Sequence, residues 1–279
     1  MQTWQDNNNF ENSIKNFYEQ NPYPDMELQG ITDGFKKQHA GYKMHNKIMM
    51  YILSSAGLST KWLSGKRILD AGCGTGEKAL YCANLGAQVT GIDISRNSIE
   101  RANKKAQEKK YSIDFINMNI MDVNWKNKFD LVLTIGVLHH IRDHQRAFLV
   151  LANATKTNGY LIVGFYNLFG RLRTWLEKYA ILIYHGGYRN TLQYFSKKYG
   201  NDSYLYRTAI DKYLNPYEKA FTYQEMETLF EKNGFEVIKT LPEIKTPIID
   251  EALMLAKNKF FMIMAGKKKI DTFQEDDAN

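Results

Sequence analysis

Short apolar runs and amphipathic stretches alternate along the chain from Lys66 onward, and their lengths predict strand and helix in turn. Apolar runs at 67–71, 88–92, 112–117, 129–135 and 160–166 read as five strands. The fourth is almost wholly apolar after Asp130, as a strand covered on both faces requires. Helices are predicted at 77–85, at 95–108 with Ser95 as N-cap, and at 142–155, with Asn158-Gly159 turning the chain into strand five. The alternation stops at 168 and resumes at 221, where Thr222 and Glu225 form a capping box for a helix ending at Gly234. Two last strands, 235–240 and 260–266, form a hairpin with a helical excursion between them. The pattern specifies an α/β fold: a mostly parallel seven-stranded sheet with helices on both faces.

Segments outside the alternation complete the domain map. Residues 1–60 form a helical cap, with an aromatic-bearing helix at 10–19, the run Asn21-Pro22-Tyr23-Pro24, a glycine-containing loop and a second helix at 42–55. A core at 61–167 follows, then an insertion at 168–220, the remainder of the sheet at 221–268 and a flexible tail at 269–279. In the insertion, Leu168, Leu172, Trp175, Leu176, Tyr179 and Ile183 fall on one helical face, with Arg171, Arg173 and Lys178 off it. Eight tyrosines lie between Tyr184 and Tyr217. That composition suits an aromatic lid over an apolar acceptor, a packed accessory helix, or docking of a basic amphipathic helix at a membrane surface.

Composition narrows the class. A chain of 279 residues with 44% hydrophobic and 24% charged residues can bury a large core and reads as a soluble globular enzyme. The net charge of +7 is mild. The densest basic run, 104–110, reads as the solvated face of a helix, with a phosphate-binding patch as the alternative. Two cysteines, no signal-like N-terminus and no bilayer-length apolar run predict a cytoplasmic protein.

The candidate chemistry begins at strand one. Asp70, Gly72, Gly74 and Gly76 end that strand in a turn with glycine at every second position, followed by a helix. Glycine lets backbone approach a ligand closely, and the helix start presents free N–H groups. Asp93 ends strand two, where a carboxylate accepts hydrogen bonds from ribose hydroxyls. The pair predicts a bound nucleoside. Gly74, Gly76 and Ala79 also satisfy a loose dinucleotide fingerprint, but Glu77 at the helix start is expected to repel a pyrophosphate.

In Asp70, Gly72, Gly74 and Gly76 the chain resembles the class I S-adenosylmethionine-dependent methyltransferases, closely over 45–167 and more loosely over 220–268. The resemblance implies a Rossmann-like sheet closed by an antiparallel strand, and a cofactor, S-adenosyl-L-methionine, that leaves as S-adenosyl-L-homocysteine. It places Asp70, Gly72, Cys73, Gly74, Gly76, Asp93, Ile94, Asn119, Ile120, Thr134 and Ile135 around that cofactor. Asn119 stands where the family usually has an acidic residue facing adenine, with Asp122 as the alternative. The N-terminal segment is expected to fold as a lid over the cofactor or to pack on the sheet edge.

Strand four runs into His139 and His140, and strand five ends in Tyr166 and Asn167. Ligands of open α/β sheets bind at these strand ends. An imidazole there can remove the proton an acceptor loses, so His139, His140 and Tyr166 are the candidate catalytic residues. Subclasses that need an (Asp/Asn/Ser)-Pro-Pro-aromatic motif, a cysteine nucleophile or magnesium-holding carboxylates after strand four are set aside, and no Cys/His metal pattern is present. The strand-four motif is most similar to quinone-biosynthesis and other small-molecule methyltransferases, which implies O-, N- or C-methylation of a small apolar or aromatic acceptor. The alternatives are an RNA or protein methyltransferase, whose tyrosines could stack bases, and a non-catalytic cofactor-binding protein.

Overall fold

The computed structural model describes residues 7–22, 47–200, 204–257 and 259–269. In chain order the elements are α1 (Asn7–Gln20), α2 (47–55), β1 (Arg67–Ala71), α3 (Glu77–Asn84), β2 (Gln88–Asp93), α4 (Arg96–Lys109), β3 (Ile113–Asn117) and β4 (Phe129–Ile135). There follow α5 (His144–Ala154), β5 (Thr155–Tyr166), α6 (Leu168–Tyr184), α7 (Tyr188–Tyr199), α8 (Tyr204–Tyr213), α9 (Tyr223–Lys232), β6 (Phe235–Leu241), α10 (Pro247–Ala256) and β7 (Phe261–Lys268). The expected residues Tyr23, Pro24 and the loop after them lie outside the described residues, as does the tail from 270.

The strands form one seven-stranded sheet in the order β3-β2-β1-β4-β5-β7-β6. Only β7 runs against its neighbours, pairing antiparallel with β5 and β6. Side chains alternate across the pleat, so each central strand feeds two cores. Val132, Leu161 and Val163 join Phe148, Phe230 and Phe235 on one face. Leu131, Leu133 and Ile162 join Met49, Ile52 and Leu53 of α2 on the other. The order reverses between β1 and β4, which opens a crevice at their C-terminal ends.

Local signals set most boundaries as the sequence predicts. Ser95 accepts from Ser98 N at 3.1 Å, and Thr222 and Glu225 close their capping box. Three details differ. Strand five begins at Thr155, because Asn158-Gly159 forms a bulge inside the strand: Asn158 has φ +62° and the β4–β5 register shifts there. Lys105 is buried rather than solvated, because Glu77 at the start of α3 accepts a 2.5 Å hydrogen bond from it. Third, α6 docks through the opposite side from the one its periodicity suggests. Gly170, Arg171 and Thr174 are buried, whereas Leu176 is 73% and Ile183 80% exposed.

Arg171 can sit inward because Glu218 takes two of its N–H groups, from Nε at 2.7 Å and Nη2 at 2.5 Å. A separate cluster joins α1 to the insertion: Phe17 packs with Phe195, Ala209, Ile210 and Leu214. Arg207 of α8 also donates to the Pro22 carbonyl at 3.3 Å, where the chain leaves α1. The cap helix and the insertion, distant in sequence, are thus packed against each other. Among the described residues, no helix is long and apolar enough to cross a membrane.

Candidate functional site

The glycine turn after β1 is built on three left-handed residues, Gly72, Gly74 and Gly76, with φ of +76°, +55° and +88°. Two of them are crowded. A Cβ on Gly72 would lie 2.3 Å from Val137 Cγ2, and one on Gly76 2.8 Å from Phe115 Cζ. Gly74 is different: among the described residues, a Cβ there would meet nothing within 4 Å. Its neighbour Asp93 braces the turn, accepting from Gly74 N and from Ser95 N, each at 2.9 Å. Each carboxylate oxygen keeps a further lone pair.

Asp70 is fully buried beneath the turn, and neither of its oxygens has a hydrogen-bond partner among the described residues. Lys78 approaches to 3.6 Å. Burial pushes the Asp70 carboxyl up, and the lysine opposes that. Cys73 is buried, and burial raises its thiol well above the ordinary value, so it packs rather than reacts. Glu77 does not face the turn as an open charge; it is held below its usual range by Lys105, against the effect of burial. The electrostatic argument against a pyrophosphate is therefore weaker than the sequence suggests.

A cavity of about 410 Å³ opens beside Asp93, lined by Ile94, Asn117, Met118, Asn119 and Asp122, with Glu11, Asn12 and Lys15 of α1 across it. Asn119 is committed on both sides of its amide. Its Nδ2 donates to Glu11 at 3.0 Å, and its Oδ1 accepts from Met121 N at 3.0 Å. Ile120 turns its side chain into the core rather than the cavity. Thr134 is fully buried at the end of β4, its hydroxyl without a partner among the described residues, and Ile135 packs beside Gly164.

On the other side of the crevice the ends of β4 and β5 meet. His139 stacks on Tyr166 with centroids 3.8 Å apart and planes 25° apart, and His140 stands edge-on to it at 4.2 Å. The Arg171 guanidinium lies 4.2 Å from the Tyr166 ring centroid. His139 is wholly buried and neither ring nitrogen has a partner among the described residues. Burial, with His140 and Arg171 adding to it, holds its imidazole well below the ordinary value. His140 is lowered by burial too, against a raising effect from Asp211. Its Nδ1 lies 2.9 Å from Tyr217 O and 3.1 Å from Asn215 Nδ2.

Asn167, expected to face the acceptor, is spent on structure: it caps α6 through Gly170 N and donates to the buried Glu251 at 2.5 Å. Sequence reasoning missed Tyr18, Arg171, Asp211, Asn215 and Glu218. Tyr18 donates to Asp211 at 3.0 Å and accepts from Asn215 at 2.9 Å across more than 190 residues of chain, which no local periodicity reports. Arg171 was visible in the sequence only as one of three basic residues, with Arg173 and Lys178, off the apolar face of its helix.

Comparison with known proteins fits this geometry. A family model described as a methyltransferase domain matches residues 63–275. The ubiquinone biosynthesis O-methyltransferase of Rhodopseudomonas palustris is 33% identical over 125 residues, 45% of this chain and 47% of that protein. The counterpart in Rickettsia typhi is 32% identical over 117 residues, 42% of this chain and 48% of that one. The chain thus spans about half the length, or less, of the curated relatives it matches. Among solved structures, magnesium protoporphyrin IX methyltransferase from Synechocystis PCC 6803 has a TM-score of 0.59 at 18% identity, covering 93% of this chain and 100% of that one. PKMT2 from Rickettsia typhi has a TM-score of 0.61 at 18% identity, over 78% of this chain and 51% of that one. These likenesses support the fold, and, with the family model running from just ahead of the first strand through the last, the chain belongs to the methyltransferase-domain family.

Proposed function

We propose that the protein is an S-adenosyl-L-methionine-dependent methyltransferase acting on a hydroxyl of a small aromatic or apolar acceptor. The observation that carries this reading is a junction at the switch point. An open glycine turn braced by Asp93 at the ends of β1 and β2 adjoins the His139–Tyr166 stack at the ends of β4 and β5. The cofactor fits the residues present: Gly74 leaves room for a ligand against its backbone, and Asp70 and Thr134 carry buried oxygens that lack partners among the described residues. Gly72, Gly74 and Gly76 would shape its seat, Asp93 would take its ribose, and Ile94, Asn119 and Asp122 would flank its base. When bound, its sulfonium supplies an activated methyl group.

The remaining work belongs to the chain. Tyr166 and the neutral His139 give the acceptor an aromatic wall, and of the two candidate bases His140 is the one whose ring nitrogen has polar neighbours. The relatives that methylate oxygens favour a hydroxyl acceptor. Helix α1, packed on the insertion, serves as a composite lid over cofactor and acceptor. Two buried thiols suit a reducing cytoplasm.

Methyl-labelled S-adenosylmethionine, purified protein and fractionated extract of the source organism provide the test. Label in the organic-soluble or small polar fraction, lost with Tyr166→Ala while S-adenosylhomocysteine still binds, is the expected outcome. Label confined to RNA or protein would overturn the acceptor class, and absence of any transfer would overturn the activity.

A further inference from the structure

Tyr18 of α1 faces both halves of the site. Its backbone carbonyl accepts from Ser95 Oγ at 3.4 Å, two residues beyond Asp93 on the cofactor side. Its hydroxyl points to the acceptor side, donating to Asp211 Oδ1 at 3.0 Å and accepting from Asn215 Nδ2 at 2.9 Å. Its ring lies 5.7 Å from that of His140. Asn215 is held in that orientation because its Oδ1 takes the Tyr217 N–H at 2.9 Å. Among the described residues the Tyr18 oxygen therefore has one lone pair left for an incoming hydroxyl.

Packing alone does not call for these groups. A seam between a cap helix and an insertion is stabilised as well or better by apolar contacts, because buried polar groups carry a desolvation cost. Phe17, the preceding residue, shows the apolar solution: it seats α1 on Phe195 and Ile210. One residue further on, where the helix passes the His139–Tyr166 stack, the seam turns polar. Asp211 there is faced by Tyr18 from α1, His140 from the end of β4, Arg171 from α6 and Glu218 from beyond its own helix. His139 is a poor terminus for a proton, since both of its nitrogens are enclosed and have no hydrogen-bond partner among the described residues. Asp211 is only half-buried, so it can exchange with water.

We infer that, within the methyltransferase reading above, Tyr18 meets the acceptor hydroxyl and Asp211 receives the proton which that hydroxyl loses. As the acceptor oxygen forms its bond to the methyl carbon, the methyl–sulfur bond breaks and its electron pair stays on sulfur. The acceptor proton moves to the Tyr18 oxygen while the hydrogen already on Tyr18 moves to Asp211. Tyr18 ends neutral and unchanged, Asp211 ends as a carboxylic acid, and that proton then leaves to solvent. His140 and Asn215 position the relay.

The test uses the full chain and the extract fraction that takes label from methyl-labelled S-adenosylmethionine. Tyr18→Phe and Asp211→Asn should each lower turnover by about 100-fold, the range for loss of a positioned proton acceptor. Calorimetric affinity for S-adenosylhomocysteine should stay within about threefold of wild type, since neither side chain reaches the cofactor cavity. Asp211→Glu should recover most of the lost rate, because it restores the carboxylate. The wild-type rate should rise with pH as Asp211 ionises, above the ordinary carboxylate range because burial raises it, and Asp211→Asn should lack that limb.

A second readout needs no turnover. In protein labelled with [ζ-13C]tyrosine and saturated with S-adenosylhomocysteine, the signal absent from Tyr18→Phe should titrate with Asp211 in wild type and stay flat in Asp211→Asn. Wild-type transfer that survives Asp211→Asn within about threefold, or a Tyr18 signal indifferent to that change, overturns the relay and leaves the methyltransferase reading standing. No transfer by the wild type overturns both.

Discussion

Gly74 separates the cost of folding from the demands of a ligand. An alanine there must hold φ near +55°, which costs about 1 kcal/mol, yet its Cβ meets nothing within 4 Å. At Gly72 the same change drives a Cβ to 2.3 Å from Val137, a side chain just ahead of the histidine pair. Urea unfolding should therefore find Gly74→Ala about 1 kcal/mol less stable than wild type and Gly72→Ala worse by about 1–3 kcal/mol more, from overpacking. Binding should reverse part of that contrast. Calorimetry should show Gly74→Ala losing at least about tenfold in affinity for S-adenosylhomocysteine, because the new methyl occupies the cofactor's side of the turn. Retained affinity would remove Gly74 from the seat. Asp93→Asn should be more damaging than its size suggests, since one amide cannot accept both the Gly74 and Ser95 N–H groups and still serve a ribose. These residues were legible in the sequence because the turn, its strand and the next strand are contiguous, and glycine spacing reports backbone shape directly. Tyr18 and Asp211 were not, because the contact between them is made by tertiary packing.

At the level of elements, α6 shows where periodicity misleads. Read as the packed face of an accessory helix, its stripe of Leu172, Leu176, Tyr179 and Ile183 would be buried, and the structure exposes it. The decisive interaction is the fork of Arg171 on Glu218, aided by Trp175, whose indole N–H also donates to Glu218. A guanidinium can be buried when a carboxylate matches its geometry, and a hydrophobicity pattern cannot see a partner 47 residues away. By contrast α9 and strands β1 to β4 followed their patterns, because their caps and pleats are local. Removing Arg171 alone leaves Glu218 buried and unpaired, so Arg171→Met should cost about 3–5 kcal/mol in chemical unfolding. Arg171→Met combined with Glu218→Leu should recover a large part of that loss, because no charge then stays buried. If the double variant is as unstable as the single one, the pair is not what seats α6.

For the whole molecule, the buried histidines govern stability as the solution turns acidic. His139 and His140 are held neutral, with burial as the main cause, so their folded pKa values lie below the unfolded value near 6.5. Below about pH 6.5 the unfolded chain takes up protons on these two residues that the folded chain refuses, and their contribution to stability falls as pH falls. Each histidine contributes a slope of about 1.4 kcal/mol per pH unit between its unfolded and folded pKa values. Asp70, Asp93 and Asp211 act in the opposite sense: burial raises all three, so the folded state binds their protons first and gains relative stability as pH drops through the raised values. The wild-type curve mixes the two effects, and a difference curve isolates the first. His139→Phe keeps a flat ring against Tyr166 and removes one titrating group. Its stability relative to wild type should be constant above about pH 7 and should improve by about 1.4 kcal/mol for each unit below about 6.5, read by urea unfolding at fixed ionic strength. Parallel curves would mean that His139 is protonated in the folded state and has a partner. His139 could then no longer serve as the neutral, enclosed imidazole proposed beside Tyr166.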